Sequence, residues 1–94
     1  MSAAVKERLI GVAGRPYGHV PGHRFLDVEL LQRGRRWVIR VTHGSAQGRG
    51  HDEEHGRAEY ARATLDAARD AAFELETDEE TRRLIELACA GGAE

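Results

Sequence analysis

The sequence predicts an α+β fold: a small antiparallel β-meander of three strands, or four if residues 57–63 are extended, followed by two α-helices packed on one sheet face. Three observations carry this. Leu26, Val28 and Leu30 alternate with Asp27 and Glu29, and Trp37, Ile39 and Val41 alternate with Arg36 and Arg40, which is the period of strands with one buried and one wet face. From residue 58 onward the apolar spacing becomes three and four, the period of a helix. At 94 residues, 40% of them hydrophobic, the chain has room for one modest core, and a single domain spanning residues 1–94 is expected.

Taken in order, residues 5–12 mix apolar and charged side chains and suit a short strand near an edge. Residues 13–23 hold Gly14, Pro16, Gly18, Pro21 and Gly22 and read as a loop with Pro21-Gly22 at the centre of a type II turn. Residues 24–31 form the second strand, residues 32–35 a turn around Gly34, and residues 36–41 the strand that pairs back as a hairpin. Asp27 and Glu29 would share a wet face with Arg36 and Arg40, where opposite charges across strands stabilise one another. Residues 42–50 contain Gly44, Gly48 and Gly50 and are expected to lack regular structure.

Ala58, Ala61, Leu65, Ala68, Ala72 and Leu75 then trace an apolar stripe, and a long helix over residues 58–75 is the preferred reading. On it, Asp66 falls at the neighbouring distance from Arg62 and from Arg69. The rival makes residues 57–63 a further strand, with Thr64 capping a shorter helix. Thr77 with Glu80 three residues on has the form of a capping box, opening a second helix with Leu84, Ile85 and Ala88 on one side and Gly91-Gly92 at its end. The domain thus divides into a strand-rich basic half over residues 1–43, a glycine-rich loop over 44–52 and a helical acidic half over 53–90.

Net charge is −2, yet residues 1–50 carry nine Lys/Arg against three Asp/Glu, for +6, and residues 51–94 carry five against thirteen, for −8. Such asymmetry can mark a charged partner, but the simpler expectation is that the halves neutralise each other within the fold or across a dimer. The only cysteine, Cys89, allows no intrachain disulfide. Lys6, Glu7 and Arg8 stand where a signal peptide would need its apolar stretch, and no apolar run nears the roughly 20 residues of a membrane span. A cytoplasmic protein that does not engage a membrane is expected.

Three constellations bear on function. Arg33, Arg35, Arg36, Arg40 and Arg49, with Trp37 among them, could bind a partner or a nucleic-acid backbone, because the guanidinium fork donates two bonds at once to phosphate or carboxylate. The competing expectation is a solvated hairpin whose arginines pair with the chain's own carboxylates. All five histidines lie between positions 19 and 55; His19 with His23, and His51 with Glu54 and His55, are the candidate metal ligands, although the order His51-Asp52-Glu53-Glu54-His55 lacks the glutamate a zincin needs next to its first histidine. The glycine-rich loop is placed like a phosphate cradle, but it has no P-loop lysine, and Asp52, Glu53 and Glu54 behind it would repel an anion.

Nothing marks a nucleophile. Ser45 is not in a Gly-x-Ser-x-Gly elbow, Cys89 sits amid apolar helix residues, and no pair of carboxylates stands in an apolar setting. The favoured function is therefore a small intracellular accessory or regulatory interaction module, non-enzymatic, that binds a protein partner and itself through the alanine and leucine stripe. The alternatives are a nucleic-acid-binding protein using the arginine-rich hairpin and a small metal-binding protein or enzyme using the histidine loops. No catalytic residue is assigned and no cofactor is implied.

Overall fold

The computed structural model describes residues 6–14, 24–46 and 52–91. Four strands, β1 (Glu7–Ala13), β2 (Arg24–Arg33), β3 (Arg36–Ala46) and β4 (Asp52–Arg62), form one antiparallel sheet in the order of the chain, followed by helices α1 (Leu65–Leu75) and α2 (Glu79–Ala90). The expected meander with two helices on one face is therefore present, with four strands.

The β2–β3 hairpin is built as the alternation predicts. Val28 lies opposite Val41 and Leu30 opposite Ile39, and Gly34 takes the positive φ of 61° that closes the tight turn. β4 adds Tyr60 opposite Ile39 and Ala58 opposite Val41. Onto this floor α1 lays Ala68 and Ala72, and α2 lays Leu84, Ile85, Ala88 and Cys89. α2 covers β1 and β2, and α1 covers β3 and β4. The α2 backbone comes so close to β1 that a Cβ on Gly11 would overlap the Ala88 carbonyl oxygen, so glycine is required there by contact.

The long helix over residues 58–75 is not formed. Ala58 and Ala61 belong to β4, Thr64 caps α1 by accepting from the Ala67 amide, and the rival reading of residues 57–63 is the correct one up to Arg62. The spacing misleads because Ala58 and Tyr60 face the helices while Ala61, opposite Val38, faces the other way. Asp66 pairs with Arg69 at 3.1 Å, and Arg62 instead donates to the Ala61 carbonyl. Within the stripe, Ala68 and Ala72 are buried in the chain's own core, while Leu75 is 71% exposed.

Regular structure also persists where a glycine-rich connector was expected. β3 continues through Thr42, His43, Gly44 and Ser45 to Ala46, and β4 starts at Asp52, so Asp52, Glu53 and Glu54 are strand residues and stabilise no helix dipole. Residues 47–51, like most of the expected loop over residues 13–23, fall outside the described residues. The second helix begins one residue later than the Thr77 box implies: Asp78 is the N-cap and accepts from the Thr81 amide, which suits carboxylate as well as hydroxyl caps. Gly91 ends α2 in a right-handed conformation, φ −67°.

Candidate functional site

The sheet face away from the helices explains what becomes of the arginines. Along it, Leu9, Leu31, Val38 and Ala61 stand side by side across β1, β2, β3 and β4. Flanking this apolar row are Glu7 and Arg33 on one side and Glu29, Arg40 and Glu59 on the other. Arg33 donates to Glu7 on β1 at 2.5 and 2.9 Å and to Glu59 on β4 at 3.2 Å. Arg40 on β3 donates to Glu59 at 2.7 Å, reaches Glu7 at 3.2 Å and lies 3.7 Å from Glu29. The bonds from Arg33 to Glu59 and from Arg40 to Glu7 thus cross over the row, and beneath them Val38 is 0% and Leu31 5% exposed.

Each partner's ionisation reflects this lattice. The Arg33 hydrogen bond holds the Glu7 carboxyl below its ordinary range, with Arg40 adding to it, and the Arg40 bond does the same for Glu59. Burial works against the charge of Arg40, but its bonds to Glu59 and Glu7 outweigh it and leave its pKa raised. The wet-face expectation is therefore half right: Glu29 does face Arg40, whereas Asp27, opposite Thr42, is fully buried.

The predicted arginine cluster is accordingly divided. Arg33 and Arg40 are spent on the fold. Arg35 and Arg36, at the β2–β3 turn, are exposed and have no carboxylate partner among the described residues; Arg49 lies outside them. Three further exposed cations gather at the same end of the sheet. The Gly34 amide donates to the Lys6 carbonyl, which places Lys6 against the turn. Arg8 lies opposite Gln32, Gln32 opposite Trp37, and Trp37 opposite Arg62, so one row on the helix-bearing face reads basic, amide, indole, basic. Arg8 donates to the Gln32 side chain at 3.4 Å. None of Lys6, Arg8 or Arg62 has a carboxylate partner among the described residues, and Trp37 is partly buried against the core.

No local signal in the sequence groups Lys6, Arg8 and Arg62 with the hairpin. Only the strand order does, since β1 begins and β4 ends beside the β2–β3 turn. At this turn end lie five exposed cations: Arg8 and Arg62 share the row of the indole, Lys6 and Arg35 sit at the turn, and Arg36, opposite Arg33, is on the other sheet face.

The opposite end of the sheet carries the described part of the histidine set. His43 lies over Gly56, and the Phe25 ring lies over Gly44. The Ser45 hydroxyl and His55 Nε2 are 2.9 Å apart, while Glu54 binds Arg57 at 2.8 Å. His19, His23 and His51 lie outside the described residues, and among the described residues no three His, Cys, Asp or Glu side chains converge as metal ligands would. A serine bonded to an imidazole is the start of a nucleophile–base pair, but no carboxylate among the described residues orients the other ring nitrogen of His55. Cys89 is buried and burial pushes its thiol pKa up, the reverse of activation.

Tyr60 shows how the helical half is fastened. Its hydroxyl donates to Glu76 just past α1, and burial first, then that carboxylate, push its pKa up to about 12. Arg82 of α2 stacks over the Phe73 ring of α1 at 5.1 Å, joining the two helices. No helix is long and apolar enough to cross a membrane among the described residues. No protein-family model, curated protein or solved structure matches this chain.

Proposed function

We propose that this chain is a small cytoplasmic interaction module, accessory or regulatory and without an enzymatic activity of its own, that binds an anionic macromolecular partner through the turn end of its sheet. One observation carries the reading. The fold neutralises Arg33 and Arg40 but leaves Lys6, Arg8, Arg35, Arg36 and Arg62 exposed together without carboxylate partners among the described residues. Cations left unpaired side by side repel one another, and an anionic partner relieves that repulsion. Self-association belongs to the same proposal and rests on the exposed Leu9 and Val12 of the edge strand β1.

The test is retention on immobilised heparin, a generic polyanion. With a net charge of −2 the chain as a whole has no reason to bind it, so retention must come from a local patch. The wild type is expected to be retained at low salt, and the Arg35→Ala/Arg36→Ala double variant to elute at lower salt. A wild type that flows through at low salt removes the proposal.

A further inference from the structure

Resting on that reading of the turn end, we infer that its partner is single-stranded nucleic acid, with phosphates held by the arginines and a base laid against Trp37. Four of the five turn-end cations that lack a carboxylate partner among the described residues are arginines, and the planar guanidinium grips phosphate through two parallel bonds where an ammonium offers a point charge. The chain's one tryptophan shares its row with two of them, Arg8 and Arg62. In the row Arg8, Gln32, Trp37, Arg62, successive side chains are one strand spacing apart, about 4.8 Å, so the row spans about 15 Å. An extended strand of a few nucleotides crossing the row would meet a cation on either side of the indole.

An acidic protein surface fits less well. Protein interfaces are anchored by a desolvated apolar centre, and the exposed large aliphatics among the described residues, Leu9, Val12, Leu75 and Leu87, contribute nothing to this row. A duplex also fits less well, because its bases are stacked on each other and present no face to the indole, whereas unpaired bases do.

Trp37 is the only indole, so its emission reports directly on the site. The experiment titrates the full chain with a single-stranded twelve-nucleotide deoxythymidine oligomer at several salt concentrations, with the matching duplex and poly-glutamate as comparators. Quenching of Trp37 on binding is expected, with log affinity falling about 0.7 per decade of salt for each phosphate neutralised. Arg8→Ala/Arg62→Ala should reduce that slope by about 1.4. Trp37→Phe, followed by the anisotropy of a labelled oligomer, should weaken binding less than Trp37→Ala, for which a loss of roughly five-fold or more is expected. Because Trp37 also packs on the core, exposed Arg8→Ala provides the variant whose loss of binding is independent of folding. Binding without a change in Trp37 emission, or equal or tighter binding of the duplex or of poly-glutamate, overturns the inference. Retention on heparin with no binding of the oligomer leaves the polyanion reading standing and removes this one; loss of both removes both.

Discussion

The two faces of the sheet are covered by different means, and both succeed. Ile39 and Val38 are neighbours on β3, point to opposite faces and are both fully buried. Ile39 lies on the face that the helices cover, in the core they close. Val38 lies on the other face, beneath ionic bonds that link Arg33, Arg40, Glu7 and Glu59 across the sheet. The long stems of these side chains cover apolar surface while their charged ends meet one another. An arginine count is therefore a poor measure of free positive charge; what matters is which guanidinium finds a carboxylate.

The largest effect should come from the helix-bearing face. Ile39→Ala is expected to cost about 3 kcal/mol by chemical denaturation, through lost transfer energy and the cavity left between sheet and helices. Val38→Ala should cost about 2 kcal/mol. An ordinary surface substitution stays within about 0.5 kcal/mol, so a value in that range for Val38 would show that the ionic cover does not exclude water.

The cover itself should be weaker than what it shelters. Arg40 is 15% exposed, against 32% for Glu59 and 34% for Glu7, so solvent screens the pairs in part, and Arg40→Ala is expected to cost about 1.5 kcal/mol. Its second signature is in acid. Glu7 and Glu59 have folded pKa values below their unfolded ones, so their contribution is fully present above the unfolded value of about 4.3 and is lost as pH falls through the depressed folded values. Urea midpoints should be level from about pH 7 to 5 and fall below about pH 4. In Arg40→Ala that acid limb should be shallower, and an unchanged limb would show that other carboxylates set it.

This contrast also explains what could be read in advance. The β2–β3 hairpin was legible because Leu26, Val28 and Leu30, and then Trp37, Ile39 and Val41, recur at every second position on the helix-bearing face and a two-residue turn joins the strands. β4 was not, because its Ala, Glu and Arg are good helix formers and pairing with β3 overrides that preference. Thr64 was the local signal for the break but not a sufficient one, since threonine is tolerated within helices; it is its extended N-cap backbone that stops a helix from running through from Ala58. The arginine cluster was legible as a cluster but its division was not. Glu7 is 26 positions from Arg33, and Glu59 is 19 from Arg40, so pairing depends on strand order. The same order brings Lys6, Arg8 and Arg62 to the hairpin turn.

The smallest expected effect is the most diagnostic. Arg33 and Arg36 face each other across the end of one hairpin, yet Arg33 bonds two carboxylates while Arg36 bonds none among the described residues. Arg33→Ala leaves Glu7 and Glu59 short of a cation and should lower stability measurably. Arg36→Ala removes an exposed charge with no carboxylate partner among the described residues and should change stability by less than about 0.5 kcal/mol in either direction. Equal losses for the two would mean that Arg36 also serves the fold, and the turn end would then be structure rather than binding surface. If Arg36→Ala is neutral in stability yet lowers the salt at which the chain leaves heparin, Arg36 is not held in place for the fold and serves binding at the turn end.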